Sequence, residues 1–234
     1  MKSKLRIYPG HIFSVLFILA LVVIDRSVDD WGRLSNGFGN LISFFHESLW
    51  PPDWSVLEPR VYPECTASSA LEFTCSTAWI GMVETLQIAF VSTILAMTIS
   101  LPMALLAARN VGTFRTAAVI RFILAALRSL PSLIWAIFFV ILVGFGAISG
   151  IFAMTIYSIG YLGKLQYEAI EGMNSLSLEA ADAAGLSRIE KAIHVVIPES
   201  ANDLISQAIF MFEYNVRHGS VIGIVGAGGI GYYI

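Results

Sequence analysis

Three arginines lie inside apolar stretches of this chain, Arg121 and Arg128 within residues 116–143 and Arg217 within the stretch that follows Ser200. A charge well inside a membrane span costs about 2.5–3.5 kcal/mol on insertion scales, so such residues mark pathways or pairs. Arg217 stands four residues after Glu213 and beside His218. Two chemistries fit it equally: contact with an oxyanion, which suits a guanidinium fork, or a helical ion pair with Glu213. Arg128 precedes Pro131, and its long side chain is expected to snorkel to the cytoplasmic face. Residues 226–231 read Gly-Ala-Gly-Gly-Ile-Gly, the spacing of a dinucleotide fingerprint. That fingerprint needs a following helix and an acidic residue about 20 positions on, and only three residues follow Gly231. Gly226, Gly228 and Gly229 suit instead a non-helical backbone lining a cavity at membrane depth, or tight packing with no pathway role. No His, Cys, Asp or Glu cluster has the spacing of a metal or nucleophile site, and no P-loop pattern occurs. The chain is expected to be no enzyme and to bind no metal or cofactor itself.

These residues act only if elements hold them at depth, and the composition calls for such elements. The 234 residues are 56% hydrophobic and 13% charged, with a mean hydropathy of +0.74. Soluble domains carry about 25% charged residues, and half that density does not solvate the surface of a globule this size. The reading is an integral membrane protein. A net charge of -3 and the lack of any DNA-binding motif exclude a nucleic-acid partner.

Lys2, Lys4 and Arg6 precede an apolar run over 12–24. A charge followed by a short apolar run is the signal-peptide pattern. No small-residue cleavage site follows, so an uncleaved first transmembrane helix from about Tyr8 is expected. Residues 25–77 hold eight acidic residues against three arginines. Within them, Leu34, Phe38, Leu41, Ile42, Phe45 and Leu49 recur at helical spacing among Trp31, Trp50 and Trp54. That suits a helix in the membrane interface, or an extramembrane helix packed on the bundle. Four prolines between 51 and 63 then break regular structure. Residues 79–108 make the clearest span, with Glu84 expected at the interface near its N-terminus, where negative charge is favoured. Residues 116–143 form another, and a further span runs from near Ala147 past Lys164. Residues 200–234 give one more at most. The fold class is all-α, a polytopic bundle of about five spans, divided as 1–24, 25–77 and a core over 78–234.

Lysine and arginine cluster at the N-terminus, in the 109–115 turn and over 164–198. Cationic loops stay in the cytoplasm. This places the N-terminus and 164–198 inside, and 25–77 and the 144–150 turn outside. Cys65 and Cys75, the two cysteines, then face an oxidising compartment where a disulfide is permitted; two unpaired thiols are the other reading.

Residues 179–198 read EAADAAGLSRIEKAIHVVIP, a polar, alanine-rich stretch between spans. Ser175 or Ser177 is expected to cap a first helix, and Gly185 suits its left-handed stop. Ser187 and Glu190 make a capping box that opens a second helix, which Pro198 is expected to end. The small side chains of Ala180, Ala181, Ala183 and Ala184 let a partner's groove approach the backbone closely. The pair reads as a rigid peg for a soluble partner, or as an ordinary amphipathic connector.

Glu179-Ala180-Ala181, three residues, Gly185, nine residues and then Val195-Val-Ile197-Pro198 resembles the signature of ABC-importer permeases, with aliphatic exchanges at Val195 and Ile197. Glu84-Thr85-Leu86, Leu105 to Asn110, Arg128-Ser-Leu-Pro131, Asn215-Val-Arg217 and the glycine-rich stretch narrow the likeness to phosphonate- and phosphite-type permeases. Residues 61–77 look like an insertion relative to them. The resemblance implies that Glu179, Ala180, Ala181, Ala184, Gly185 and Pro198 belong to a coupling helix seated in a partner ATPase. It also implies a homodimer in the bilayer with two ATPase subunits, which hold ATP and Mg, and an extracytoplasmic binding protein. Its cargo is a phosphorus oxyanion, with an amino acid or related solute as the alternative. An ion-coupled secondary transporter is the reading from a different class. Chains of this kind carry a sixth helix after the glycines, so the sequence is expected to be truncated there.

Overall fold

The computed structural model describes residues 9–28, 32–58 and 72–233. The backbone divides into two compact units, 1–54 and 55–234.

The first unit holds α1 (Pro9–Ser27) and α2 (Gly32–Phe44), the latter running into a π turn (Phe45–Leu49). The apolar run over 12–24 extends through Asp25 and Arg26 before α1 ends. Phe13, Phe17 and Leu19 of α1 are all more than half exposed. Phe38 and Leu41 on α2 are exposed as well.

The second unit is built on α3 (Thr77–Ala107), 31 residues capped by Ser76, whose hydroxyl accepts from the Trp79 amide. Its buried face is a row of small residues at helical spacing: Gly81, Thr85, Ala89, Ser92, Ala96, Ser100, Ala104 and Ala107. The large side chains Phe90, Ile94 and Ile99 point outward. That inversion is how membrane helices pack, since lipid already solvates large apolar groups and small residues let backbones approach. Against this row lies α6 (Ala147–Gly172), which presents its own small face, including Ser149, Gly150, Ala153 and Ser158. The start of α6 at Ala147 and its extension past Lys164 follow the expected pattern.

Residues 116–143 do not form one straight span. They divide into α4 (Phe114–Leu127) and α5 (Ser132–Val143), bent by 79°. Pro131 sets the break, because it lacks an N–H and disfavours helical backbone at Leu130. The Leu127 carbonyl released there accepts from Trp135 Nε1 at 3.1 Å. Among the described residues, α3 and α6 are long and apolar enough to cross a membrane, and the bent pair counts as a third span if taken as one.

After α6 come α7 (Ser175–Ala183) and α8 (Arg188–Lys191), then a π turn (Ala192–Val196), α9 (Ile197–Glu199) and α10 (Ala201–Ile222). Pro198 therefore does not end a helix as the sequence suggests. It sits in the first turn of α9, where a missing N–H costs nothing, and the wider π turn before it accommodates the ring. The chain finishes in two 3-10 turns, Gly223–Val225 and Ile230–Tyr232, wrapped around the glycines.

Candidate functional site

The peg begins at Asn174, not at the expected serines: its side chain accepts from the Leu176 amide at 3.0 Å. Asn174 offers the same side-chain acceptor one residue earlier. Gly185 stops α7 at φ +74. Its amide donates to the Asp182 carbonyl at 3.0 Å and the Leu186 amide to the Ala181 carbonyl at 3.1 Å, which occupies the carbonyls a helix end leaves open. The capping box forms as expected: the Ser187 amide donates to Glu190 Oε2 at 2.8 Å, and the Glu190 amide to Ser187 Oγ at 3.4 Å. These bonds hold the Glu190 carboxyl below its ordinary value of 4.5. Lys191 pairs with Asp182 across the elbow, so the two helices are tied as one body.

One side of the peg is anchored and the other is bare. Ala181 is buried, and beneath the peg Ala104, Ala108, Ile170 and Val196 form a fully buried seam with Met173 and Leu178 around it. Glu179, Ala180, Ala184, Gly185 and Pro198 are exposed, as are the apolar side chains Leu176 and Ile189. A small-residue surface with two apolar knobs is suited to a partner's groove.

Two polar devices beside this seam were not apparent from spacing. Arg121 on α4 pairs with Glu171 on α6, donates from Nε to the Ala107 carbonyl at 2.9 Å, and lies 4.3 Å from the Tyr167 ring centre. Glu171 also accepts from the Arg109 amide at 2.7 Å. The cluster pins the ends of α3, α4 and α6 together. Deeper in the bundle, fully buried Asn215 on α10 donates to Thr93 Oγ1 at 3.0 Å and accepts from Ser158 Oγ at 3.2 Å. That ties α10 to α3 and α6 with bonds that gain strength away from water.

The glycine-rich stretch is non-helical, as expected. Gly226, Gly228 and Gly229 are buried and adopt φ of +90, +77 and +78. The turn presses on α3 and α6: the Ile230 amide donates to Thr85 Oγ1 at 2.8 Å, and the Gly146 amide to the Gly226 carbonyl at 2.9 Å. A Cβ on Gly228 would stand 2.8 Å from the Ala147 backbone and from Glu84 Oε1. Glu84 therefore lies two turns into α3 against this turn, beyond the first helical turn where the macrodipole acts, and its Oε2 is buried without a partner among the described residues.

Arg217 pairs with Glu213 at 3.1 Å, both about two-thirds exposed. Arg128 caps α4 at its far end. The 14 residues of α4 put it about 21 Å from Phe114. Cys75 is buried and disulfide-bonded; Cys65 and most of the 61–77 stretch lie outside the described residues.

Residues 100–234 match the family of binding-protein-dependent transport system inner membrane components. The chain is 40% identical over 224 residues to the phosphite transport system permease protein PtxC of Stutzerimonas stutzeri, covering 95% of this chain and 74% of that one. It is 37% identical over 158 residues to the phosphate-import permease protein PhnE of Mycolicibacterium smegmatis, which is 66% of this chain and 30% of that one. Among solved structures, the inward-facing MetNI methionine ABC transporter matches with a TM-score of 0.60 at 26% identity, covering 66% of this chain and 78% of that one. The small-residue seam, the capped peg and these likenesses agree: the chain belongs to the binding-protein-dependent transport system inner membrane component family, as the permease of an ABC importer.

Proposed function

We propose that this permease carries phosphite, a phosphonate or a related phosphorus oxyanion inward by alternating access. The observation that carries the cargo is the likeness to PtxC, which extends over 95% of the chain. In this reading two copies form the pathway, with the N-terminus and the 164–198 loop in the cytoplasm. Two ATPase subunits seat the pegs, and their ATP and Mg supply the energy. An extracytoplasmic binding protein delivers the cargo, and a Cys65–Cys75 disulfide braces the outer segment. Glu179, Ala180, Ala184 and Gly185 form the docking face. When the ATPase cleft closes, the peg moves as one body, because Lys191 and Asp182 tie its halves. The buried seam passes that movement to the ends of α3 and α6. Arg217, Gly226, Gly228 and Gly229 flank the pathway in this account, with Arg217 contacting cargo once freed from Glu213. Replacing Arg217 by Gln while leaving uptake unchanged would assign it to the ion pair alone.

The likeness to a methionine transporter favours one second reading, an amino acid cargo. Uptake into proteoliposomes by the complete complex separates the two. ATP-dependent accumulation of phosphite or methylphosphonate, with methionine excluded, is the expected result. Methionine uptake without oxyanion uptake would replace the cargo assignment and leave the class intact.

A further inference from the structure

The break between α4 and α5 opens a cavity of about 350 Å³. A single water needs only about 10–15 Å³ on this measure, so the space admits a small ion. Arg128, Ser129, Ser132, Tyr157, Tyr214 and His218 line it. Its chemistry is one-sided. Arg128 brings a permanent positive charge that makes no ion pair among the described residues. No carboxylate lines the cavity. The N-terminus of α5 opens here too, with Pro131 at the cap position and no side-chain cap. The Ile134 and Trp135 amides donate to the Pro131 carbonyl at 3.0 and 3.4 Å, which leaves the Ser132 and Leu133 amides as donors at the positive end of the helix.

The aromatic wall is stacked and polar-edged. Tyr214 stacks on His218 at 3.7 Å and on Tyr157 at 5.6 Å, and its hydroxyl donates to the Tyr157 hydroxyl at 3.0 Å. His218 Nδ1 lies 3.0 Å from the Tyr214 carbonyl. A carbonyl only accepts, so Nδ1 carries the proton and Nε2 is left as an acceptor, able to take a hydroxyl of a protonated oxyanion and not to donate to it. The Ser132 hydroxyl is buried at the same rim. Donors converging from three helices around one uncompensated guanidinium make a site for a small oxyanion.

We propose that this cavity, with Arg128 as its principal charge, is a transit site for the phosphorus oxyanion within the membrane pathway. The inference rests on the cargo reading above and goes beyond it by assigning residues. A tetrahedral oxyanion offers acceptors to Arg128, to Ser132 and to the α5 amides together. The bend at Pro131 is what turns all three toward one space. A phospholipid headgroup has the same phosphate chemistry and is the competing occupant.

The test uses the complete complex with its ATPase subunits and binding protein, in proteoliposomes, with phosphite as the probe. Uptake and ATP hydrolysis are measured together. Arg128→Gln is expected to lower phosphite taken up per ATP hydrolysed at least tenfold, and Arg128→Lys to recover it to within about threefold. A merely structural role would lower both rates together and leave the ratio unmoved, which overturns the proposal. Should Arg128→Gln fail to assemble, His218→Gln and Tyr157→Phe are read in the same way, and an unchanged ratio in both is equally fatal. Thermal melting in phosphatidylcholine, with and without phosphatidylglycerol, covers the lipid source. A stabilisation by the anionic lipid that Arg128→Gln removes, with an unmoved ratio, gives the cavity to a headgroup. If the wild-type complex carries no phosphorus oxyanion at all, the cargo reading itself falls, before any variant is considered.

Discussion

Gly150 lies where α6 meets the glycine-rich turn, and a Cβ there would stand 2.2 Å from the Ala227 carbonyl oxygen. Neither group yields easily, because both are backbone or locked against it. Gly172, at the end of the same helix, has nothing within 4 Å of the corresponding position. Gly150→Ala is therefore expected to destabilise the protein by about 1–3 kcal/mol, while Gly172→Ala is neutral or slightly stabilising. Thermal melting of the two variants in one detergent checks the contrast, and equal melting temperatures would remove the tight contact. The sequence showed glycines suited to irregular backbone, but not which surfaces they meet. Gly150 and Ala227 are 77 positions apart, and so local patterns carry no trace of their approach. The same holds for Asn215, whose partners Thr93 and Ser158 stand on two other helices, and for Arg121 with Glu171. Gly185, Ser187 and Glu190 were legible because a cap and a helix stop are made within four residues.

The elbow of α7 and α8 is an element with a pH dependence. Glu190 is held below its ordinary value chiefly by the Ser187 bonds, so folding favours its charged form. The support this gives α8 is complete above pH 4.5 and is lost as the pH falls below that, through the lowered folded value. Protection of the 187–191 amides, measured against the unstructured chain at the same pH, is expected to fall below about pH 4 and to be already low at neutral pH in Ser187→Ala. Protection that does not change across that range in the native protein would contradict the cap. The α4–α5 bend is the element that sequence reading missed. Residues 116–143 are apolar apart from a few positions such as Arg121 and Arg128, and hydropathy measures length and not direction. Pro131 was visible, yet only the 79° angle between α4 and α5 shows how sharply the chain turns. That turn is what brings Arg128, expected at a membrane face, to a cavity shared with α6 and α10.

Across the whole molecule, the peg and the cavity belong to one packed body. The seam under α7 joins the ends of α3 and α6, and those helices run along their small-residue faces to the glycine-rich turn and the Asn215 network. The peg is thus joined by continuous packing to the glycine-rich turn. The all-α class was readable from composition, and the stop and second cap of the 179–198 peg from its residues, since both depend on local chemistry. The packing between the peg and that turn was not, since it is made of long-range contacts. The central claim is that ATP hydrolysed by a partner subunit drives transport through the 175–199 loop. ATP-dependent phosphite uptake by complexes carrying Glu179→Ala with Gly185→Val tests it most directly, beside Gly172→Ala as the control. The account predicts at least a tenfold loss of uptake in the double variant, with the control near the native rate. Native uptake in the double variant would contradict it.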